Sequence, residues 1–297
     1  MRAIVTGGAG FIGSHLVDRL VERGDDVTVV DNRSSGKRES VNPKARFWEH
    51  DIREGFYEPA DVIFHLAAQT DVHTSVAKPD YDASVNVLGT VHVLEAARDA
   101  KARVVFTSTG GAIYGECERP AREDAELRPG SPYAVSKRCG EEYLATWNRL
   151  YETDHVVCRL ANVYGPRQQA TLEGGVVAIF LDRLRDGRET EIFGDGSQTR
   201  DFVFVEDVIG ALLAAASAQK GGVYNVGSGV ATSILELHRL CAETAGAEAE
   251  PRFGPARPGD LRHSVLDASR ARRELGWRAE TTLADGLART RRALRTQ

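Results

Sequence analysis

The 297-residue sequence is poor in cysteine (four), tryptophan (three) and methionine (one), and it has little charge imbalance, with 38 Lys and Arg against 43 Asp and Glu for a net charge of −5. So small a surplus of acid gives no electrostatic reason to bind a nucleic acid or an anionic membrane. Cys117, Cys139, Cys158 and Cys241 show no CxxC spacing; a reduced intracellular compartment fits them better than a disulfide framework, and no metal site is suggested. The longest uncharged apolar stretch, 208–218, is well short of the ~20 residues a bilayer requires. It reads as a buried helix. A basic stretch leading into a long apolar run is also missing at the start, where Ala3-Ile4-Val5 already has the character of a strand. No export signal is expected, and a cytoplasmic location is. Internal repeats and low-complexity tracts are absent too.

What the sequence does contain is alternation. Short β-branched runs at 3–6, 27–30, 62–66, 103–107 and 155–160 alternate with helical patterns, which predicts an α/β fold with a doubly wound parallel sheet of the Rossmann type. Between the first two runs, Phe11, Ile12, His15, Leu16, Leu20 and Val21 recur at helical spacing, and Gly24 stops the pattern. After Tyr164-Gly165-Pro166 the regularity weakens. Residues 1–165 are therefore expected to form the nucleotide-binding domain, and 166–297 mainly a smaller mixed α/β substrate lobe, with some chain crossing back. The Arg-rich segment from Arg270 onward reads as a solvated amphipathic helix.

The first strand leads into Thr6-Gly7-Gly8-Ala9-Gly10-Phe11-Ile12-Gly13. Glycine at 7, 10 and 13 removes side chains that would block a pyrophosphate, while the following helix presents unpaired N–H groups and its positive dipole end. A glycine-rich turn can be no more than a tight loop. The strand before it, the helix after it and Asp31 at the end of the second strand together point to a dinucleotide. Asp31 can accept hydrogen bonds from the adenosine ribose hydroxyls and repels a 2′-phosphate, so NAD is expected over NADP. Asp51-Ile52, after a third strand segment, is placed to receive the adenine edge.

Ser131-Pro132-Tyr133 reads as a helix start, and Lys137 then falls four residues from Tyr133 on the same face. A lysine ammonium and a positive nicotinamide ring favour the phenolate, which would make Tyr133 a usable proton acceptor. Chance alone supplies a Tyr-x-x-x-Lys pair in about one chain in six of this composition. Position is what gives it weight. The pair follows both the glycine loop and the segment Phe106-Thr107-Ser108-Thr109-Gly110-Gly111-Ala112-Ile113-Tyr114-Gly115, expected at the C-terminal end of the fifth strand, where such sheets bind ligands. Thr109 can bond a sugar oxygen and pass a proton to or from Tyr133.

These motifs, with Asp31-Asn32, His65-Leu66-Ala67-Ala68-Gln69, Asn86-Val87-Leu88-Gly89-Thr90, Arg159 to Arg167, Arg200-Asp201-Phe202 and Arg257-Pro258-Gly259-Asp260, resemble the extended short-chain dehydrogenase/reductase superfamily of NAD-dependent epimerases and dehydratases. Within it the resemblance is to UDP-glucose 4-epimerases, over essentially the whole chain. It implies that Gly7, Gly10, Phe11, Ile12, Gly13, Asp31, Asn32, Asp51, Ile52, Leu66, Ala67, Ala68, Gln69, Asn86, Thr107, Tyr133 and Lys137 hold NAD, and that Tyr133, Lys137 and Thr109 are catalytic. On the substrate side it implies Ser108, Thr109, Tyr133 and Asn162 at the sugar and diphosphate, with Val176 and Ser264 beside them. Arg200 and Arg257 would clamp phosphate, Asp260 the uridine ribose, and Phe193 would stack near uracil.

The implied reaction is epimerisation at C4 of a UDP-hexose through a transient 4-keto sugar. The family's dehydratases carry an Asp-Glu pair where this sequence has Gly110 and Gly111, which argues against loss of water. Its uronate enzymes tend to have Thr or Ser where Asn162 stands, which favours a neutral hexose. A small residue at Ser264, where glucose-restricted members often have Tyr, implies tolerance of UDP-N-acetylhexosamines. UDP-glucuronate 4-epimerase, or another nucleotide-sugar enzyme of the superfamily, is the alternative activity. A non-catalytic NAD-binding regulator is the alternative of another class, although it would need no Tyr133, Lys137 and Thr109. The resemblance also implies a homodimer joined through helices around 86–100 and 133–151, though an apolar helix face can equally be internal core.

Overall fold

The computed structural model describes residues 1–170, 175–257 and 260–294. Its first half alternates β1 (Arg2–Thr6), α1 (Phe11–Glu22), β2 (Asp26–Asp31), β3 (Arg46–Glu49) and β4 (Val62–His65). Short helices α2 (Val72–Ala77) and α3 (Pro79–Ala83) follow, and a π-helical turn over Ser84–Leu88 leads into α4 (Gly89–Ala100). Next come β5 (Arg103–Thr109), α5 (Gly110–Ile113), the long α6 (Pro132–Tyr151), β6 (Val156–Leu160) and β7 (Asn162–Tyr164). The rest is α7 (Val176–Arg185), β8 (Glu191–Phe193), β9 (Thr199–Phe204), α8 (Val205–Ala216), β10 (Gly222–Val226), β11 (Ala231–Ser233), α9 (Ile234–Ala245), β12 (Arg252–Gly254), β13 (His263–Ser264), α10 (Ser269–Glu274) and α11 (Leu283–Leu294).

Seven strands form one sheet in the order β10-β6-β5-β4-β1-β2-β3, and every neighbouring pair in it is parallel. Parallel strands covered on both faces must be apolar throughout. β4 is buried at every position and β1 at all but its first residue. The strand order reverses between β1 and β4, so the chain leaves the sheet in opposite directions there and opens a crevice at the C-terminal strand ends. The helix predicted after the glycine loop is α1, and Gly24 ends it with φ +80°. The stretch 208–218 falls on α8, whose Val208, Ile209, Ala211, Leu212 and Ala215 are buried.

Two features were not evident from strand patterning. β10 and α8 come from beyond residue 165 yet join the seven-stranded layer, β10 by pairing with β6. The Arg-rich end forms two helices, α10 and α11, separated by a turn at Gly276 with φ +65°, and α11 buries Gly286, Leu287 and Thr290. β9 carries the second sheet, pairing with β7, β11 and β13. No helix among the described residues is long and apolar enough to cross a membrane.

Candidate active site

A cleft of about 1090 Å³ opens where the sheet order reverses. Gly7, Gly10, Phe11, Ile12 and Gly13 form one wall, Asp31, Asn32, Asp51 and Ile52 one end, and Leu66, Ala67, Ala68 and Gln69 the facing side, while Thr107, Ser108, Thr109, Tyr133 and Lys137 line its inner part. The glycine loop has room only because it is glycine. Gly7 adopts φ +72°, and a Cβ there would lie 2.6 Å from the Ala67 nitrogen. At Gly13 a Cβ would meet the Gly7 carbonyl and the Gly8 Cα, the latter at 2.8 Å, so helix and loop pack backbone to backbone. α1 begins at Gly10 with no side-chain cap, and its first N–H groups stay free for an anion.

Asp31 is 8% exposed and accepts hydrogen bonds from the Ala9 N–H (2.9 Å) and the Arg33 N–H (2.7 Å). It is thereby tied to the phosphate loop and held in place at the ribose end. The Arg33 side chain turns instead to Glu49, 3.2 Å away. Asp51 accepts from the Asn32 amide at 2.8 Å and from the Arg53 guanidinium, which holds its carboxyl far below the usual range. Ser108 contributes a buried hydroxyl with no hydrogen-bond partner among the described residues. An uncapped helix end, a cradle that a Cβ at Gly7 or Gly13 would fill and a fixed carboxylate make up the donor and acceptor set a dinucleotide needs, and the unpaired Ser108 hydroxyl is left for a second ligand.

The residues expected to handle the proton come from α6 and β5. Ser131 caps α6 by accepting from the Ala134 N–H (3.2 Å), and Pro132 takes the first turn. Tyr133 and Lys137 then share one face, and Thr109, the last residue of β5, hydrogen-bonds Tyr133. Burial pushes the Tyr133 phenol up to about 12, opposed by the Thr109 hydrogen bond and reinforced by the Asp82 carboxylate. Burial also brings Lys137 down to about 8, against the pull of Asp82 and Glu141. The sequence expectation of a favoured phenolate counts the positive nicotinamide ring along with the Lys137 ammonium. Desolvation outweighs that attraction in the protein by itself.

Asn86 does not line the cleft. It is buried behind Gln69, accepting from the Gln69 N–H (2.9 Å), and its amide nitrogen, with two N–H to give, has three acceptors in reach: the Gln69 carbonyl (2.9 Å), Asp82 (3.1 Å) and the Ser136 hydroxyl (3.1 Å). Below it His65 lies between Thr6 (2.8 Å to Nδ1) and Thr90 (3.0 Å to Nε2). Burial lowers His65 to about 3, with Lys137 adding to the effect, so the ring is neutral and has one N–H. Donor bookkeeping places it. The Thr90 hydroxyl donates to the Asn86 carbonyl (2.6 Å) and must accept from Nε2–H, while Nδ1 accepts from Thr6, whose oxygen takes the Ala67 N–H (3.2 Å). One chain of hydrogen bonds thus joins the loop after β4 to the turn before α4.

The remaining residues expected on the substrate side gather around β9, outside the lining of that cleft. Ser264 pairs with Arg200 across β13 and β9, and Asn162 with Phe202 across β7 and β9. Gly111 links them, because its carbonyl accepts from the Ser264 hydroxyl at 3.3 Å and a Cβ on it would lie 3.4 Å from the Asn162 Oδ1. Both arginines already have partners: Arg200 forms an ion pair with Asp260, and Arg257 lies over the Phe193 ring, 3.8 Å from its centroid. Pro258 and Gly259 lie outside the described residues. Val176 starts α7 and packs on the apolar cluster around Tyr164 and Phe180. Arg167, Gln168 and Gln169 also line the cleft, with Gln169 donating to the Ser35 carbonyl at 3.1 Å; the sequence reading gave them no role.

Comparison with known proteins agrees with this geometry. Residues 3–227 match the model of the NAD dependent epimerase/dehydratase family. A UDP-glucose 4-epimerase of Mycolicibacterium smegmatis is 50% identical over 98% of this chain and 97% of its own. The crystal structure of a Thermotoga maritima UDP-glucose 4-epimerase with UDP-glucose superposes with a TM-score of 0.96 at 42% identity, covering 100% of this chain and 99% of the other. A Thermus thermophilus UDP-glucose 4-epimerase in complex with NAD gives 0.91 at 40% identity, covering 99% of each.

Proposed function

We propose that this chain, which belongs to the NAD-dependent epimerase/dehydratase family, is an enzyme that inverts C4 of a UDP-hexose, interconverting UDP-glucose and UDP-galactose. The observation that carries the reading is the placement of Tyr133, Lys137 and Thr109 on the wall of the cleft that the glycine loop and Asp31 also line. Similarity over nearly the full length to named UDP-glucose 4-epimerases supports it. NAD is the cofactor: Gly7 to Gly13 receive its pyrophosphate, and Asp31 its adenosine ribose. When bound it takes up the C4 hydride and returns it, so no net redox change occurs.

The chain's own residues orient the sugar and move the proton. Tyr133 removes the proton of the C4 hydroxyl and later restores it, Thr109 shares that proton's hydrogen bond, and Lys137 supplies positive charge beside the phenol. Between the two transfers the 4-keto sugar turns while its diphosphate stays anchored. Arg200 and Arg257 supply that anchor by exchanging Asp260 and Phe193 for phosphate, and Asp260 and Phe193 are freed for the uridine. Asn162 and Ser108 contact the sugar, with Val176 at its margin. Gly110 and Gly111 support epimerisation over dehydration, because neither can supply a carboxyl acid or base. At 110 a side chain would also run into Leu266.

We assign residues 1–165, together with α8 and β10, to the cofactor side and most of the remainder to the substrate side. UDP-N-acetylhexosamines are proposed as second substrates, on the small Ser264. A homodimer is proposed through 86–100 and 133–151; Leu88, Val135, Tyr143, Leu150 and Tyr151 are exposed there, and light scattering after size exclusion reads its mass. A cytoplasmic location completes the reading.

Incubation with UDP-glucose, without added NAD, should yield UDP-galactose, and denaturation should release a nicotinamide. Failure to form UDP-galactose even with NAD supplied, alongside turnover of UDP-glucuronate in a substrate panel, would replace this reading with the uronate one.

A further inference from the structure

We propose that Glu116 is a positioning residue for the nucleotide end of the substrate: its carboxylate clasps the backbone between Asp260 and Ser264 and holds that stretch in place beside β9. The inference rests on the UDP-sugar reading given above to Arg200, Asp260 and Ser264. Glu116 lies in the loop after α5, where Gly115 turns the chain with φ +71°. Both of its oxygens go to backbone. One accepts from the Arg262 N–H at 2.7 Å and the other from the His263 N–H at 2.8 Å. Glu116 is exposed, and water would satisfy an exposed carboxylate without help from the protein. The two charge-assisted bonds therefore serve the strand more than the acid.

Upstream, that strand has few other fastenings. β13 is two residues long and parallel to β9. Thr199 joins it there, its N–H donating to the Arg262 carbonyl at 2.9 Å and its hydroxyl bonding His263 Nδ1 at 3.0 Å. Downstream the chain is secured without Glu116. Asp201, 1% exposed, accepts from the Leu266 N–H at 3.3 Å, while Ala121 donates to the Val265 carbonyl and accepts from the Asp267 N–H, each at 2.8 Å. The other upstream tie is the ion pair of Asp260 with Arg200, and in the reading above that pair opens when Arg200 turns to phosphate. The pairing with Thr199 and the clasp of Glu116 then keep Asp260 and Ser264 in register. Glu116 thus counts most with substrate bound. It counts equally in the ground and transition states, because the anchored uridine diphosphate is the same in both.

Glu116→Ala removes both acceptors, and Glu116→Gln leaves one. Hydrogen exchange at the Arg262 and His263 amides should quicken about tenfold or more in Glu116→Ala, while the amides of β9 keep their native protection. Unchanged exchange at those two amides would overturn the proposal. The Kd for UDP, read by calorimetry, and the KM for UDP-glucose should both rise about tenfold in Glu116→Ala and less in Glu116→Gln, with kcat within about twofold of the native value. Melting temperature and released nicotinamide should not move. A fall in kcat at constant KM, or weaker binding accompanied by a lower melting temperature and faster exchange throughout β9, would also overturn it. A native protein that binds no UDP would remove the nucleotide reading of the site and this role with it, whereas native binding that both variants share unaltered removes this role alone.

Discussion

In the proposed reaction the C4 chemistry hangs on a single hydroxyl. Tyr133→Phe keeps the ring that lines the cleft but removes the proton carrier, so kcat should fall by roughly 10²–10⁴-fold while released nicotinamide is unchanged. Unchanged epimerisation in that variant would refute the assigned base. Ser264 tests the hexose. It is 7% exposed, and its hydroxyl donates to the Gly111 carbonyl, so Ser264→Tyr puts a ring where the pocket has only a hydroxymethyl group. Turnover of UDP-N-acetylglucosamine should drop about tenfold or more relative to UDP-glucose. A constant ratio of the two rates would show that Ser264 does not set the size of the pocket. Asp31 and Gly13 could be read from residue type, because a carboxylate at a strand end and a glycine at a helix start have strong local reasons. Arg200 and Arg257 could not, since an isolated arginine has the same local chemistry on any surface.

Among the elements, α6 does the most positioning. Its start was visible in Ser131-Pro132, a cap followed by a residue pre-set for the first turn, and the structure has that cap, with Ser131 accepting from the Ala134 N–H. Ser131→Ala should cost about 1 kcal/mol of stability, read as a lower urea midpoint. Because the frayed turn carries Tyr133, kcat should fall more than KM rises. The π-helical turn over Ser84–Leu88 works from the opposite side. It puts Asn86 and Thr90 where they complete the chain of hydrogen bonds through His65 to Thr6 and Ala67. Sequence periodicity does not reveal this, since one widened turn barely disturbs the apolar pattern around it.

For the whole molecule, buried histidines set the response to acid, His65 and His155 above all. Burial lowers His65 to about 3 and His155 to about 4, each below the 6.5 of an exposed imidazole. The unfolded chain therefore binds protons that the folded one refuses, and stability is lost as pH falls from about 6.5 toward 4. Urea midpoints at pH 7.5, 6 and 5 should drop progressively over that window, before the carboxylates titrate. Midpoints constant down to pH 5 would mean that neither ring is held neutral by the fold. At the same scale, the sequence expects some chain to cross back between the two parts without saying which. Strand patterning marks a break near residue 165, yet β10 returns to complete the seven-stranded sheet beside β6.

The sequence by itself determined the parallel sheet, the glycine loop, Asp31 and the pairing of Tyr133 with Lys137, because each follows from interactions within a few residues: alternation, missing Cβ atoms, a cap, a spacing of four. Only the tertiary structure decided that Gly111 brings Asn162 and Ser264 together, that Arg200 and Arg257 have partners within the chain, and that Asp82 lies buried against the Gln69 and Asn86 amides. Those facts depend on contacts between strands and helices distant in the chain, and on a desolvation that no residue carries until the fold closes over it.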